Sequence, residues 1–251
     1  MTESNYDLVI DGVGVNFSGF QAVSNFSMVV KQGEMRVLLG ANGAGKTTLM
    51  DMICGKTEST EGRIFIGDTE ITNKPPHTIA RMGVGRKFQI PSVFKKLTVR
   101  QNLSVAAMKN TSVFANLGSL KRCIHLDKLE ETLELINLTR RADELAGNLS
   151  HGETQWLELG LLVILNPKII LLDEPTAGMT ADETLKTSRI VNDLKGRHTI
   201  VAVEHDMAFV REIADKITVM HQGKFLAEGR IGDIEKSQAV KDAYLGSGGI
   251  A

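Results

Sequence analysis

The 251-residue chain has almost no net charge: 29 Lys and Arg face 30 Asp and Glu, leaving −1. Without a global basic field, no nucleic-acid partner is expected. Cysteine is scarce, and Cys54 and Cys123 sit in unrelated surroundings. That fits reduced thiols better than a disulfide or a metal framework. Long apolar runs are missing too, since the most apolar stretch, Leu157 to Leu165, is too short to cross a bilayer and carries Glu158. Residues Met1 to Asp7 show neither a basic nor an apolar segment, so no secretory signal is expected. Repeats and low-complexity segments do not appear. Aromatic residues make up only 5% of the chain, so each is worth weighing. Phe17 and Phe20 suit either stacking on a flat ring or packing in a core.

What is present begins with Gly40-Ala41-Asn42-Gly43-Ala44-Gly45-Lys46-Thr47, which fits the G-x-x-x-x-G-K-[ST] pattern of a phosphate-binding loop. An apolar run, Met35 to Leu39, leads in as a buried strand. Thr48 to Cys54 leads out with helical character, and Gly55 is placed to stop that helix. In this context the glycines let backbone N–H groups turn toward a phosphate, and the helix N-terminus adds partial positive charge. Lys46 can then reach the β- and γ-phosphates, and the Thr47 hydroxyl can ligate Mg²⁺. Further on, Ile169 to Glu174 is a continuous apolar strand that delivers two acids at its C-terminal end, where α/β sheets place ligands. Asp173 suits Mg²⁺, and Glu174 suits a base that orients water toward a γ-phosphate. Thr199 to Val203 is another buried strand, and it delivers His205 at the same kind of edge.

The remaining segments read as supporting architecture. Leu8–Phe17 and Phe26–Val30 suggest a hairpin or meander, and Gly62–Asp68 a strand of an antiparallel patch. From Thr98 to about Leu138 the pattern turns helical, with a loop over Thr111–Ser119, as expected of an inserted helical lobe. Ser150 followed by Glu153 forms a capping box that opens a helix with Trp156, Leu159, Leu162 and Val163 on its apolar face. Ala181–Leu194 is a further helix, and one closing helix is expected to end near Tyr244–Leu245.

Taken in order, the glycine loop, Gln89, Leu149–Glu153, Ile169–Glu174 and His205 resemble the nucleotide-binding subunit of an ABC transporter, over about Tyr6 to Leu245. The resemblance implies an α/β fold: a P-loop NTPase core with an antiparallel β patch and an inserted α-helical lobe. One domain is expected over 6–246, with the lobe at about 90–166. The implied activity is ATP hydrolysis coupled to solute import, with ATP and Mg²⁺ bound. Phe17 matches the aromatic adenine platform, Gly40 to Thr48 the phosphate loop, and Lys46 and Thr47 the phosphate and Mg²⁺ contacts. Gln89 matches the glutamine that meets the γ-phosphate, the metal and the permease. Ser150 and Gly152 match the signature that closes over ATP held by a second subunit. Asp173, Glu174 and His205 match the Mg²⁺ acid, the catalytic base and the switch histidine.

Three positions in two motifs depart from the family pattern. The signature usually reads L-S-G-G-Q, whereas this chain has His151 and Glu153 at its third and fifth places, and Thr180 stands where an Asp is common. Finer resemblance, carried by Gly85–Gln89, Ser150–Glu158, Ala177–Thr180 and Val203–Met207, is to importers of branched-chain amino acids and urea, with urea favoured. It implies transmembrane permease subunits, a second ATPase subunit (a heterodimer before a homodimer) and an extracytoplasmic solute-binding protein. The implied location is the cytoplasmic face of the inner membrane. A non-transport ABC ATPase is the rival class, but the tandem cassettes or coiled-coil arms that usually mark one are not readable here. A regulator without turnover would lack a base, yet Glu174 is present.

Overall fold

The computed structural model describes residues 6–87, 93–108 and 126–245. Gln89, Cys123 and the loop expected over Thr111–Ser119 lie outside them. Among these residues the strands are β1 (Tyr6–Phe17), β2 (Phe20–Lys31), β3 (Met35–Leu39), β4 (Glu61–Ile66), β5 (Thr69–Glu70), β6 (Val84–Lys87), β7 (Ile169–Asp173), β8 (Thr199–Val203), β9 (Lys216–His221) and β10 (Lys224–Gly229). The chain divides into two compact units. One is built on the chain up to Arg86, on Lys168–Pro175 and on the chain from Leu194 onward; the other on Lys87–Pro167 and Thr176–Asp193.

In the first unit, β3, β7 and β8 bury every side chain, as strands covered on both faces must. They lie in a six-stranded sheet of order β10-β9-β3-β8-β7-β6. β3 runs parallel to both β8 and β9, and β7 runs parallel to β8. All three therefore present their C-terminal ends along one edge. A second sheet of order β2-β1-β4-β5 is antiparallel. Buried and exposed residues alternate along β2: Phe26, Met28 and Val30 are buried, and Ser27, Val29 and Lys31 are exposed. The β1–β2 turn is two residues, Ser18 and Gly19, with φ of 50° and 99°. Positive φ at both central positions matches the right-handed twist of a hairpin, and Phe17 faces Phe20 across the turn. β2 begins earlier than its apolar run at Phe26 suggests, because pairing with β1 carries Gln21 and Val23 into the strand.

Helix α1 (Lys46–Ile53) packs Leu49, Met50 and Ile53 into the core with Leu38, Leu171 and Val201. A short helix α2 (Pro76–Arg81) was not anticipated; proline at its first position is preset for a helical start. In the second unit, α3 (Val99–Ala107) starts at a Thr98–Gln101 capping box, followed by α4 (Leu126–Leu135) and α5 (His151–Val163). Gly160 on α5 is where α3 and the end of α4 come closest: a Cβ there would lie 2.7 Å from Ile136 and 3.2 Å from Leu103. Helix α6 (Ala181–Leu194) meets α5 where Trp156 Nε1 donates to Thr187 Oγ1 at 2.9 Å. Beyond it, α7 (Met207–Ile213) returns to the first unit. The single closing helix expected from sequence is two, α8 (Ile231–Lys236) and α9 (Gln238–Leu245). Ser237 causes the break: it ends one helix and its hydroxyl accepts from Val240 N at 3.4 Å.

Candidate nucleotide-binding site

The loop after β3 needs glycine for steric reasons. A Cβ on Gly40 would lie 2.4 Å from the Met220 carbonyl, and one on Gly45 2.7 Å from that of Ala22. Gly43 and Gly45 also hold φ of 79° and 97°, a region open mainly to glycine. Gly45 is the N-cap of α1 and supplies no side-chain cap, so the first N–H groups of the helix are left for an anion. Lys46 is buried, and its ammonium donates to the Gly40 carbonyl at 2.6 Å and the Ala41 carbonyl at 3.1 Å. Burial pushes its pKa below the ordinary lysine value, against the pull of Glu174 and Asp173. A cavity of about 280 Å³ opens over the loop, lined by Asn42 to Thr48, Phe20, Ala22, Glu174 and Val203.

The sheet edge carries the acids. Asp173 ends β7 almost fully buried and pairs with Arg86 at 3.2 Å. The same guanidinium also bonds Asp51 of α1 and lies 3.3 Å from the Cys54 sulfur. Glu174 has φ of 46°, unusual for a residue with a side chain and typical of functional sites that hold local strain. Its N–H donates to the Val203 carbonyl at 3.0 Å, which pins it to the end of β8. His205 Nδ1 stands 3.7 Å from Glu174 Oε1, with the ring 70% exposed. The turn beneath this ring is held by buried Glu204, whose carboxylate accepts from the N–H groups of His205 and Asp206 at 3.0 and 3.4 Å. Asp206 in turn caps α7 through Ala208 and Phe209.

Lys46, Thr47 and Glu174 thus line one cavity, with Asp173 and His205 in the same unit. Phe17 is exposed and is not among the lining residues, whereas Phe20 is. β2 runs on from Phe20 to Ala22, which abuts Gly45, so this strand carries its first residue toward the loop. In the second unit, Ser150 caps α5 and makes the expected capping box with Glu153. Arg141 donates to both Glu153 oxygens at 3.0 and 3.1 Å, holding that carboxylate back at the cap. Arg86, Glu183 and Glu204 were not singled out from sequence. Arg86 reaches Asp51 and Asp173 only through the fold, whereas Glu204 bonds the N–H groups of the next two residues and Glu183 caps its own helix at Thr180.

Residues 23–177 match the family described as ABC transporter. The chain belongs to that family. Among its curated relatives, the high-affinity branched-chain amino acid transport ATP-binding protein LivG of Salmonella typhimurium is 36% identical over 248 residues, covering 95% of this chain and 97% of LivG. BraF of Pseudomonas aeruginosa, whose name states the same role, is also 36% identical over 248 residues with the same coverage. The ADP conformation of MJ1267, an ATP-binding cassette of an ABC transporter, superposes with a TM-score of 0.83 at 31% identity, covering 96% of this chain and 99% of MJ1267.

The ABC fold expected from sequence is therefore the fold observed, and the chain is an ATP-binding, ATP-hydrolysing subunit. For Mg²⁺, this ABC ATPase offers the Thr47 hydroxyl and the Asp173 carboxylate. No group of three or more His, Cys, Asp or Glu that could hold a metal occurs among the described residues. Two hard oxygen donors without a cage fit an ion that keeps its waters and binds largely through substrate phosphates. The two aromatic candidates are separable by titration. Phe20→Ala is expected to weaken ATP binding about 5- to 140-fold, the loss of one base–aromatic stack of about 1–3 kcal/mol. Phe17→Ala should change it less, and the reverse order would return the platform to Phe17.

Proposed function

We propose that this chain is the ATPase subunit of an importer for branched-chain amino acids. The observation that carries the solute class is the near full-length similarity to LivG and BraF, each named for branched-chain amino acid transport. Urea, favoured on short stretches of resemblance, has no support beyond them, because residues around a nucleotide do not touch the solute. On this reading residues 6–246 form one nucleotide-binding domain with a helical lobe at about 90–166. It works on the cytoplasmic face of the inner membrane, against transmembrane permease subunits, beside a sister ATPase, and is served by an extracytoplasmic binding protein. No helix among the described residues is long and apolar enough to cross a membrane, which agrees with docking through partners.

The site residues then take distinct roles. Backbone N–H groups from Gly40 to Thr48 and the Lys46 ammonium hold the phosphates, with Lys46 exchanging loop carbonyls for phosphate oxygens. Thr47, Asp173 and Gln89 hold Mg²⁺, which would neutralise charge on the β- and γ-oxygens. Glu174 orients the attacking water and His205 supports it from 3.7 Å. Ser150 and the Gly152 amide serve nucleotide bound to the opposite subunit. Copurification with the permeases, followed by uptake in vesicles loaded with ATP, tests the assignment. Leucine, isoleucine and valine should be taken up and should stimulate hydrolysis, and urea should not. Stimulation by urea alone would reverse the solute assignment, while complexes without permeases would point to the non-transport class.

A further inference from the structure

Two of the departures from the family pattern, His151 and Thr180, meet around one short segment of the second unit. His151 Nε2 lies 3.1 Å from the Ala177 carbonyl. Thr180 accepts from the N–H of Glu183 at 3.3 Å, and the Glu183 carboxylate accepts in return from Thr180 N at 3.0 Å and its hydroxyl at 2.9 Å. This is a capping box for α6, yet Glu183 reaches beyond it. Its Oε1 accepts from the Ser150 hydroxyl at 3.4 Å, and the carboxylate lies against Gly152, whose backbone N–H also favours its charged form. The fit is so close that a Cβ on Gly152 would stand 2.4 Å from Oε1. Two helix N-termini, those of α5 and α6, thus converge on one carboxylate. The Thr180 backbone N–H, foremost among these donors, holds Glu183 below the usual carboxylate range.

Capping α6 explains only the donors from Thr180. Ser150 and Gly152 belong to another helix, and they are the groups assigned above to a partner-held phosphate; the inference rests on that assignment. One pair of donors cannot serve Glu183 and a γ-phosphate together. We propose that Glu183 is a resident anion on the signature, which nucleotide phosphate must displace before two subunits close around ATP. The same displacement withdraws the carboxylate from Thr180, so the Ala177–Thr180 segment is released when the signature engages. Glu183 is on this account a positioning residue that sets how much ATP closure requires.

The test uses the full chain in a Glu174→Gln background, with the sister subunit present and absent. Dimer mass is followed by light scattering as ATP is titrated, and ATP affinity of the monomer is measured separately. Glu183→Gln keeps a residue suited to the third position of a capping box while removing the charge; Glu183→Ala removes both. Each should lower the ATP concentration at half-dimerisation by about tenfold, within the 5- to 150-fold of ordinary coupling between sites, with monomer affinity unchanged. An unchanged or raised midpoint for Glu183→Gln would overturn the proposal. So would a lower melting temperature for Glu183→Ala as the only effect, since that is the signature of a cap alone. Ser150→Arg tests the underlying assignment: a dimer that persists there removes the phosphate role of the signature. A dimer lost there, beside an unmoved midpoint for Glu183→Gln, removes only the resident anion.

Discussion

Glu174→Gln should bind ATP with near-normal affinity and hydrolyse it about 10²- to 10⁴-fold more slowly, a barrier increase of about 3–5 kcal/mol. Glu174 lines the cavity over the phosphate loop, is turned out of ordinary backbone space by its φ of 46°, and is tied to β8 through Val203. The backbone beneath this carboxylate is therefore fixed, and its side chain, 35% exposed, faces the cavity over the loop. Gln keeps the shape and the hydrogen-bonding reach but cannot take a proton. Lys46→Ala should fail differently. It removes the cation that now sits on the Gly40 and Ala41 carbonyls, so the loss should appear in ATP affinity itself. Titration calorimetry and single-turnover hydrolysis on both variants separate the two failures. Near-normal turnover for Glu174→Gln in the assembled complex would remove the base assignment.

A second large effect is expected at Arg86, this time on stability. Its guanidinium bridges Asp51 of α1 and Asp173 of β7, with side chains 17% and 4% exposed. Arg86→Ala leaves the buried Asp173 and the half-buried Asp51 without their shared cation, and breaking a buried pair by removing one partner costs about 3–5 kcal/mol. For a chain of this size that lowers the melting temperature by roughly 6–20 °C, at about 2–4 °C per kcal/mol. Arg86→Lys should recover only part of it, since a single ammonium cannot reproduce a planar fork spanning two acids. A scan showing a loss under about 2 °C for Arg86→Ala would mean that water reaches these acids and solvates them.

How far the sequence could be read depended on how local each interaction is. The phosphate loop was legible because its glycines, Lys46 and Thr47 do their work within eight consecutive positions. β3, β7 and β8 were legible because a strand buried on both faces must be continuously apolar. The caps at Thr98 and Ser150 were legible because a capping box spans four residues. The role of Arg86 and the reach of Glu183 to Ser150 were not legible because the partners lie 35 and 33 residues away; only the Thr180–Glu183 cap is as local as the other two. Phe17 and Phe20 sit on either side of one two-residue turn. Composition could propose a ring there but could not choose the strand. The break at Ser237 was missed for a related reason: apolar periodicity continues across it, while a single hydroxyl decides where one helix stops.

The parallel sheet also sets a timetable for synthesis. The strand that feeds the phosphate loop is flanked only by β8 and β9, and its first residue, Met35, bonds Asp215 across 180 positions. At about 5–20 residues per second, roughly 10–40 s pass between the emergence of Met35 and that of its neighbour. Through that interval an apolar strand waits with both hydrogen-bonding edges open, and the glycines of the loop have no Ala22–Met220 wall on both sides to shape them. Nucleotide therefore cannot act as an early folding template for this chain. The loop becomes a binding site only once β8 and β9 have been made and have closed on β3.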